Sequence, residues 1–242
     1  MVLLLVTGIA SAQNNPYIDD KLVHFGFSLG LNFMSFGVTD SEIPLLMTAT
    51  PADAGSVQKL DTLHARVSNM MPGFTVGFIS DLRLSRHLNL RFCPALSFSQ
   101  RTLTYVAESG RPVHNQSQKY KDKIDVLSIP IAIPLYIKWS AEREKNYRPY
   151  LIGGGGVEFN VYRDPERPIL LKSFDYFVEV GAGCDFYFQW FKWCPQITYK
   201  IGFANVLVPY EENINVAPED AFYSEALRRL TSRMLSITFN FE

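Results

Sequence analysis

Asp81, Arg91, Arg101, Lys138, Glu158, Asp175, Glu179, Asp185 and Lys200 each interrupt a run of alternating apolar residues, and each falls on the small or polar side of that alternation. Strand side chains point to opposite faces with period two, so these nine charges share one face of the structure they build. Carboxylates and cations gathered on a shielded face have two uses. They can pass a proton or a polar solute along a track, or they can pair with one another and fix strand register. A buried charge left unpaired is strongly destabilising, and the mixture of signs favours pairing.

Other residues able to do chemistry are sparse. The four histidines are His24, His64, His87 and His114, and none stands at a telling distance from a serine or carboxylate. A barrel hydrolase or acyltransferase would need such a pair near the membrane edge. No Gly-x-Ser-x-Gly element surrounds any serine, so the sequence assigns no catalytic residue. Cys93, Cys184 and Cys194 are an odd count without metal-ligand spacing, and read as packing residues. Gly153 to Gly156 lack the Lys-Ser/Thr of a phosphate loop; in a strand such glycines mark a bend or a close approach of neighbouring backbone. No cofactor or metal is implied.

The elements that carry the nine charges are strands. The segment Leu22 to Phe36 places Val23, Phe25, Phe27, Leu29, Leu31 and Phe33 on one face, and His24, Gly26, Ser28, Gly30 and Asn32 on the other. The pattern returns at Phe74 to Leu82, Leu88 to Phe98, Leu127 to Ile137, Arg148 to Val161, Phe174 to Phe188, Trp193 to Phe203 and Met234 to Phe241. Pro130 and Pro134 would demote a central strand, but bulges in a tilted barrel accommodate them. Eight strands of this kind predict an all-β, antiparallel up-and-down barrel.

The links alternate in length: long at 37–72, short at 84–87, long at 106–122, short at 139–147, intermediate at 162–173, short at 189–192 and long at 208–229. Outer-membrane barrels have an even strand number, short periplasmic turns and longer external loops, with both termini in the periplasm. Each link falls on the required side. In the last loop Ala221 to Leu230 predicts a short helix after Pro218-Glu219-Asp220. A soluble lipocalin-type barrel would share the strand number. It would turn the Gly, Ser, Ala and Thr faces to water, where Lys and Glu would be expected instead, so the membrane barrel is preferred. Trp139, Tyr150, Trp190, Trp193 and Tyr105 lie near strand ends, where interfacial aromatic girdles sit. With eight strands the interior is just wide enough for side chains to fill, which disfavours a porin.

At 242 residues, 47% hydrophobic and 14% aromatic, the chain is far too apolar for disorder. A net charge of -1 and the absence of any nucleic-acid-reading motif set nucleic acid aside. Val2 to Ala10 is apolar and Ala10-Ser11-Ala12 suits a signal-peptidase site, so residues 1–12 are expected to be a signal peptide cut between Ala12 and Gln13. Residues 13–21 would form a periplasmic segment and 22–242 the barrel. A start further upstream would account for the missing Lys or Arg before the apolar run.

Asp19-Asp20-Lys21-Leu22-Val23-His24-Phe25-Gly26-Phe27, with Gly30, Asn32 and Phe36, resembles the first strand of the PorT family, outer-membrane components of the type IX (Por) secretion system of Bacteroidetes. Ser128-Ile129-Pro130, Pro134 to Lys138, and Arg148-Pro149-Tyr150-Leu151 with the glycine run are similar to the fourth and fifth strands of that wider family. The resemblance spans essentially the whole mature chain. It implies a non-enzymatic barrel needed for export or maturation of surface proteases and adhesins with C-terminal signals, with other secretion components and outer-membrane lipids as partners. It carries over no catalytic residue. Two other classes remain open: a lipid-modifying barrel enzyme, and a stand-alone adhesion or ligand-binding barrel acting through its outer loops. Those loops hold Tyr120 to Lys123, Tyr162-Arg163-Asp164 and Phe222-Tyr223.

Overall fold

The computed structural model describes residues 19, 21–40, 44–46, 60–107, 123–162, 168–209 and 221–242. The expected cleavage site at Ala12 and Gln13, His114, Tyr120 to Asp122, Arg163-Asp164 and Pro218 to Asp220 lie outside the described residues.

Among the described residues twelve strand segments form a single antiparallel sheet closed on itself, and one short helix lies outside it. They are β1 (Val23–Asp40), β2 (Pro44–Leu46), β3 (Leu60–Met70), β4 (Pro72–Arg83), β5 (Leu88–Phe92), β6 (Ala95–Ala107), β7 (Lys123–Ser128), β8 (Pro130–Ser140), β9 (Tyr147–Asn160), β10 (Phe174–Tyr187), β11 (Lys192–Gly202), α1 (Ala221–Glu225) and β12 (Leu227–Phe241). Three pairs are single staves broken at one or two residues: β3 with β4 at Met71, β5 with β6 at Cys93-Pro94, and β7 with β8 at Ile129. β2 pairs only with the 60–62 end of β3 and is not a stave of its own, so the ring has eight staves. It closes because β1 pairs with β12 on one side, from Phe27↔Phe241 to Asp40↔Leu227, and with β4 on the other, from Val23↔Leu82 to Phe33↔Pro72.

Alternation decides which side is which. Phe25 and Phe78 point outward and are each 74% exposed, with Leu29, Leu135, Ile137, Val180 and Ile197 around the same belt. Such a belt suits hydrocarbon and would be untenable as the water-facing surface of a soluble barrel. On β1 it runs from Val23 to Phe33, which at strand rise and barrel tilt is about 25 Å, the height of an outer-membrane apolar band. Beyond it the outward residues become Ser35, Gly37 and Thr39, and on β12 Arg229 and Arg233. The walls there continue above the belt.

The sequence reading is corrected in five places, the first being that Tyr105 and Tyr150, expected in the interfacial girdles, point into the barrel and are buried. The long link 37–72 is shorter than expected, because β1 runs to Asp40 and β3 continues the second stave upward to Leu60, paired with β6 from Leu63↔Ala107 to Met70↔Arg101. His64, expected in a loop, is therefore on a strand opposite Val106. The last strand begins at Leu227 rather than near Met234. Helix α1 stops at Glu225, half the length expected, because Leu227 onward is taken up by pairing with β1. The extensions share one cause: above the belt, outward positions turn polar and inward ones apolar, which inverts the pattern used to find strands.

The glycine run of β9 makes room inside. Gly154 and Gly156 face the lumen, where a Cβ would run into the backbone carbonyls of Leu135 and Ile133 and press on Tyr136 and Pro134. Bulky inward residues on β8 are thus matched by the absence of side chains on β9.

Candidate functional site: the lumen

Eight staves bring all nine sequence-picked charges inside. The least buried, Glu179, is 7% exposed and Asp81 is fully covered. Eight of them fall into two groups at different heights, with Glu179 between.

At the end of the short turns, Arg91 on β5 faces Asp81 on β4, with Nε and Nη2 donating to Oδ2 at 2.9 and 2.6 Å. These residues are directly opposite in the β4–β5 ladder, so the pair also locks that register. Asn89 Nδ2 donates to the second Asp81 oxygen at 2.7 Å. Over the intervening β9, Lys138 Nζ reaches Asp185 Oδ2 at 2.6 Å, joining β8 to β10. Tyr150 lies among them: the Lys138 ammonium is 4.1 Å from its ring centroid, and its hydroxyl donates to Gln196 Oε1 at 3.0 Å. Two members of this group were missed in the sequence. Glu242 turns its side chain into the lumen and pairs with both Arg91 and Lys192. The group therefore balances Arg91, Lys138 and Lys192 against Asp81, Asp185 and Glu242. Parity held the signal, since Lys192 is in phase with Cys194 and Gln196, and Glu242 with Asn240. Lys192 ends the short link 189–192 and Glu242 follows the end of the strand expected at Met234 to Phe241, so neither falls inside an alternating run.

Polar contacts continue upward. Tyr136 donates to Glu179 Oε2 at 2.7 Å, and Asn32, Thr75 and Ser97 form a buried chain at 2.8 and 2.9 Å. Above these, Lys200 pairs with Glu158, and Asp175 accepts the amide of Ala204 at 3.0 Å. Arg101 donates to Ser232 Oγ at 3.1 Å and stacks 4.1 Å from the Phe36 ring centroid.

A third layer lies above these and is built mainly of apolar side chains, with the Arg101 guanidinium stacked beneath Phe36. Phe36, Ala65, Leu103, Tyr105, Ile124, Val126 and Leu230 point in from the walls. Ile169 and Leu171 from the β9–β10 link, Val206 and Leu207 from the β11–β12 link, and Tyr223 of α1 pack onto them. The two links cross-bridge at Leu171↔Leu207, with Lys172 N donating to Val206 O and Val208 N to Leu170 O. Val206 N in turn donates to Leu230 O on β12, so the straps are tied to the wall. Tyr105 donates its hydroxyl to the Tyr223 carbonyl at 2.9 Å, giving this buried aromatic its polar partner.

A sequence profile described as outer membrane protein beta-barrel domain matches residues 11–208, well over half of the chain. The chain belongs to that family. This agrees with the closed ring and its outward apolar belt, and places the protein in the bacterial outer membrane. The profile match ends before β12, the strand that closes the ring against β1. No curated protein matches the chain significantly.

By the rule for outer-membrane barrels, the short turns, the start of β1 and the end of β12 are at the periplasmic side and the strapped end is external. At the periplasmic rim Asp19 accepts the Tyr187 hydroxyl at 2.7 Å and lies 3.5 Å from Arg148. His24 is buried at the same end, and His87 Nδ1 lies 3.0 Å from the Ser140 carbonyl. Among the described residues no group of three or more His, Cys, Asp or Glu side chains could hold a metal ion. What the arrangement does chemically is neutralise and fill: ion pairs below, hydrogen bonds in the middle, a hydrocarbon stopper above.

Proposed function

We propose that this outer-membrane barrel is a non-enzymatic accessory component of type IX secretion that works through protein–protein contacts at its loops, turns or lipid-facing wall. The observation that carries the reading is the occupied lumen. With Tyr150 and the ion pairs across the lower part and the Leu103, Tyr105 and Leu230 layer across the upper part, the barrel offers its surfaces rather than a channel. The secretion role itself rests on the first-strand signature from Asp19 to Phe27 and its resemblance to the PorT family. A barrel of this kind would support export or maturation of surface proteases and adhesins without touching their chemistry.

Deletion of the gene is expected to leave cargo inside the cell with uncleaved C-terminal signals, and a plasmid copy to restore display. Normal surface display of cargo in the deletion strain would end the proposal.

A further inference from the structure

Beneath the straps lies a small chamber whose walls include Arg101, Ser128, Glu158, Asp175 and Ser232, with Leu171 and Val206 of the straps also lining it. Its inner space is about 20 Å³, enough for one water-sized group. Among the described residues, Arg91, Lys138, Lys192 and Lys200 each contact a carboxylate, and Arg101 does not. Arg101 is 3% exposed, yet its Nε–H has no hydrogen-bond partner, and neither has the Oγ of Ser128 on the neighbouring stave. Both residues line this one chamber. A buried guanidinium N–H left without an acceptor costs more than most single contacts return.

The charges around the chamber say what could fill it. Arg101, Glu158 and Asp175 line it together with the solvent-exposed Lys172, and Glu158 is neutralised by Lys200. An anion would meet the unneutralised Asp175 and a cation would meet the guanidinium. A neutral hydroxyl meets neither objection, because its oxygen accepts from Arg101 while its hydrogen turns to Ser128 or a carboxylate. We propose that the chamber is a binding site for one neutral hydroxylic ligand, a water or the terminal hydroxyl of a polyol, which completes the hydrogen bonding of Arg101 and Ser128 and links that cation to the carboxylates opposite. The upper charge group would then match the lower one, with a bridging hydroxyl in place of a direct ion pair.

The test is a crystal structure of the full chain in detergent, at a resolution that shows ordered water, from crystals grown plain, in sodium bromide and in glycerol. The expected result is a peak about 2.7–3.2 Å from both Arg101 Nε and Ser128 Oγ without anomalous signal from bromide. Glycerol density reaching the peak would assign the hydroxyl to a polyol, and an unchanged spherical peak to water. A bromide anomalous peak, no density, or Arg101 turned directly onto a carboxylate would overturn the proposal. A double-mutant cycle supplies the second measurement. Arg101→Met should shift the unfolding midpoint at least twofold less in a Ser128→Val background than alone, and fully additive shifts would contradict a shared ligand.

Discussion

At the periplasmic end Arg91, Lys138 and Lys192 meet Asp81, Asp185 and Glu242, whereas at the external end Leu103, Tyr105 and Leu230 meet two straps that cross the mouth. Both arrangements fill a tube of the same eight staves, but they ask different things of the sequence. The lower group lies level with the lipid belt, where each inward charge has few places to find water and must be answered by another wall residue. Its partners come from different strands, so it specifies which stave lies beside or opposite which. The upper layer stands where the walls rise above the belt, and loop residues can fold back into it. It gains from apolar burial and needs no exact pairing. Register is therefore written in the lower half, and closure is added by loops in the upper half.

The difference can be broken from either side. The largest effect is expected from Arg91→Ala, which leaves Asp81 and part of Glu242 without their cation; stability should fall by about 3–5 kcal/mol in urea unfolding of the vesicle-inserted barrel. Leu230→Ala removes a fully buried side chain from the upper layer and should cost about 3 kcal/mol by the same measurement. The two losses also differ in kind. Arg91→Ala should slow strand closure and broaden the folded gel band, while Leu230→Ala should leave the band sharp and make the straps sensitive to external protease. Replacing both partners of one lower pair, Lys138→Met with Asp185→Leu, should change stability by less than about 1 kcal/mol, because the desolvation penalty disappears along with the attraction. A double variant as damaging as either single one would show that the lower group acts as one network. Smallest of all, Asp19→Ala at the half-open rim should cost below about 1 kcal/mol.

The same contrast explains what could be read from the chain. Inside the lipid belt, outward apolar and inward small or charged residues keep strict phase, so the eight staves and nine of the lumen charges follow from period two. Lys192 and Glu242 obey that phase too; they escaped because one adjoins a turn and the other follows the final aromatic. Above the belt the code changes. Leu103, Tyr105, Ile124 and Val126 face inward while Arg229 and Arg233 face out, so a search for outward apolar residues ends the strands too early. Ile169, Leu171, Val206 and Leu207 have no period at all. Their burial depends on two links meeting in space, which one-dimensional spacing does not encode.

Among the described residues both devices fill the lumen, one at each end. Planar bilayer recording of the refolded full chain tests this filling most directly. The account predicts no steady current above the bare-membrane baseline, in wild type and at either polarity. Stable, stepwise single-channel conductance would contradict it.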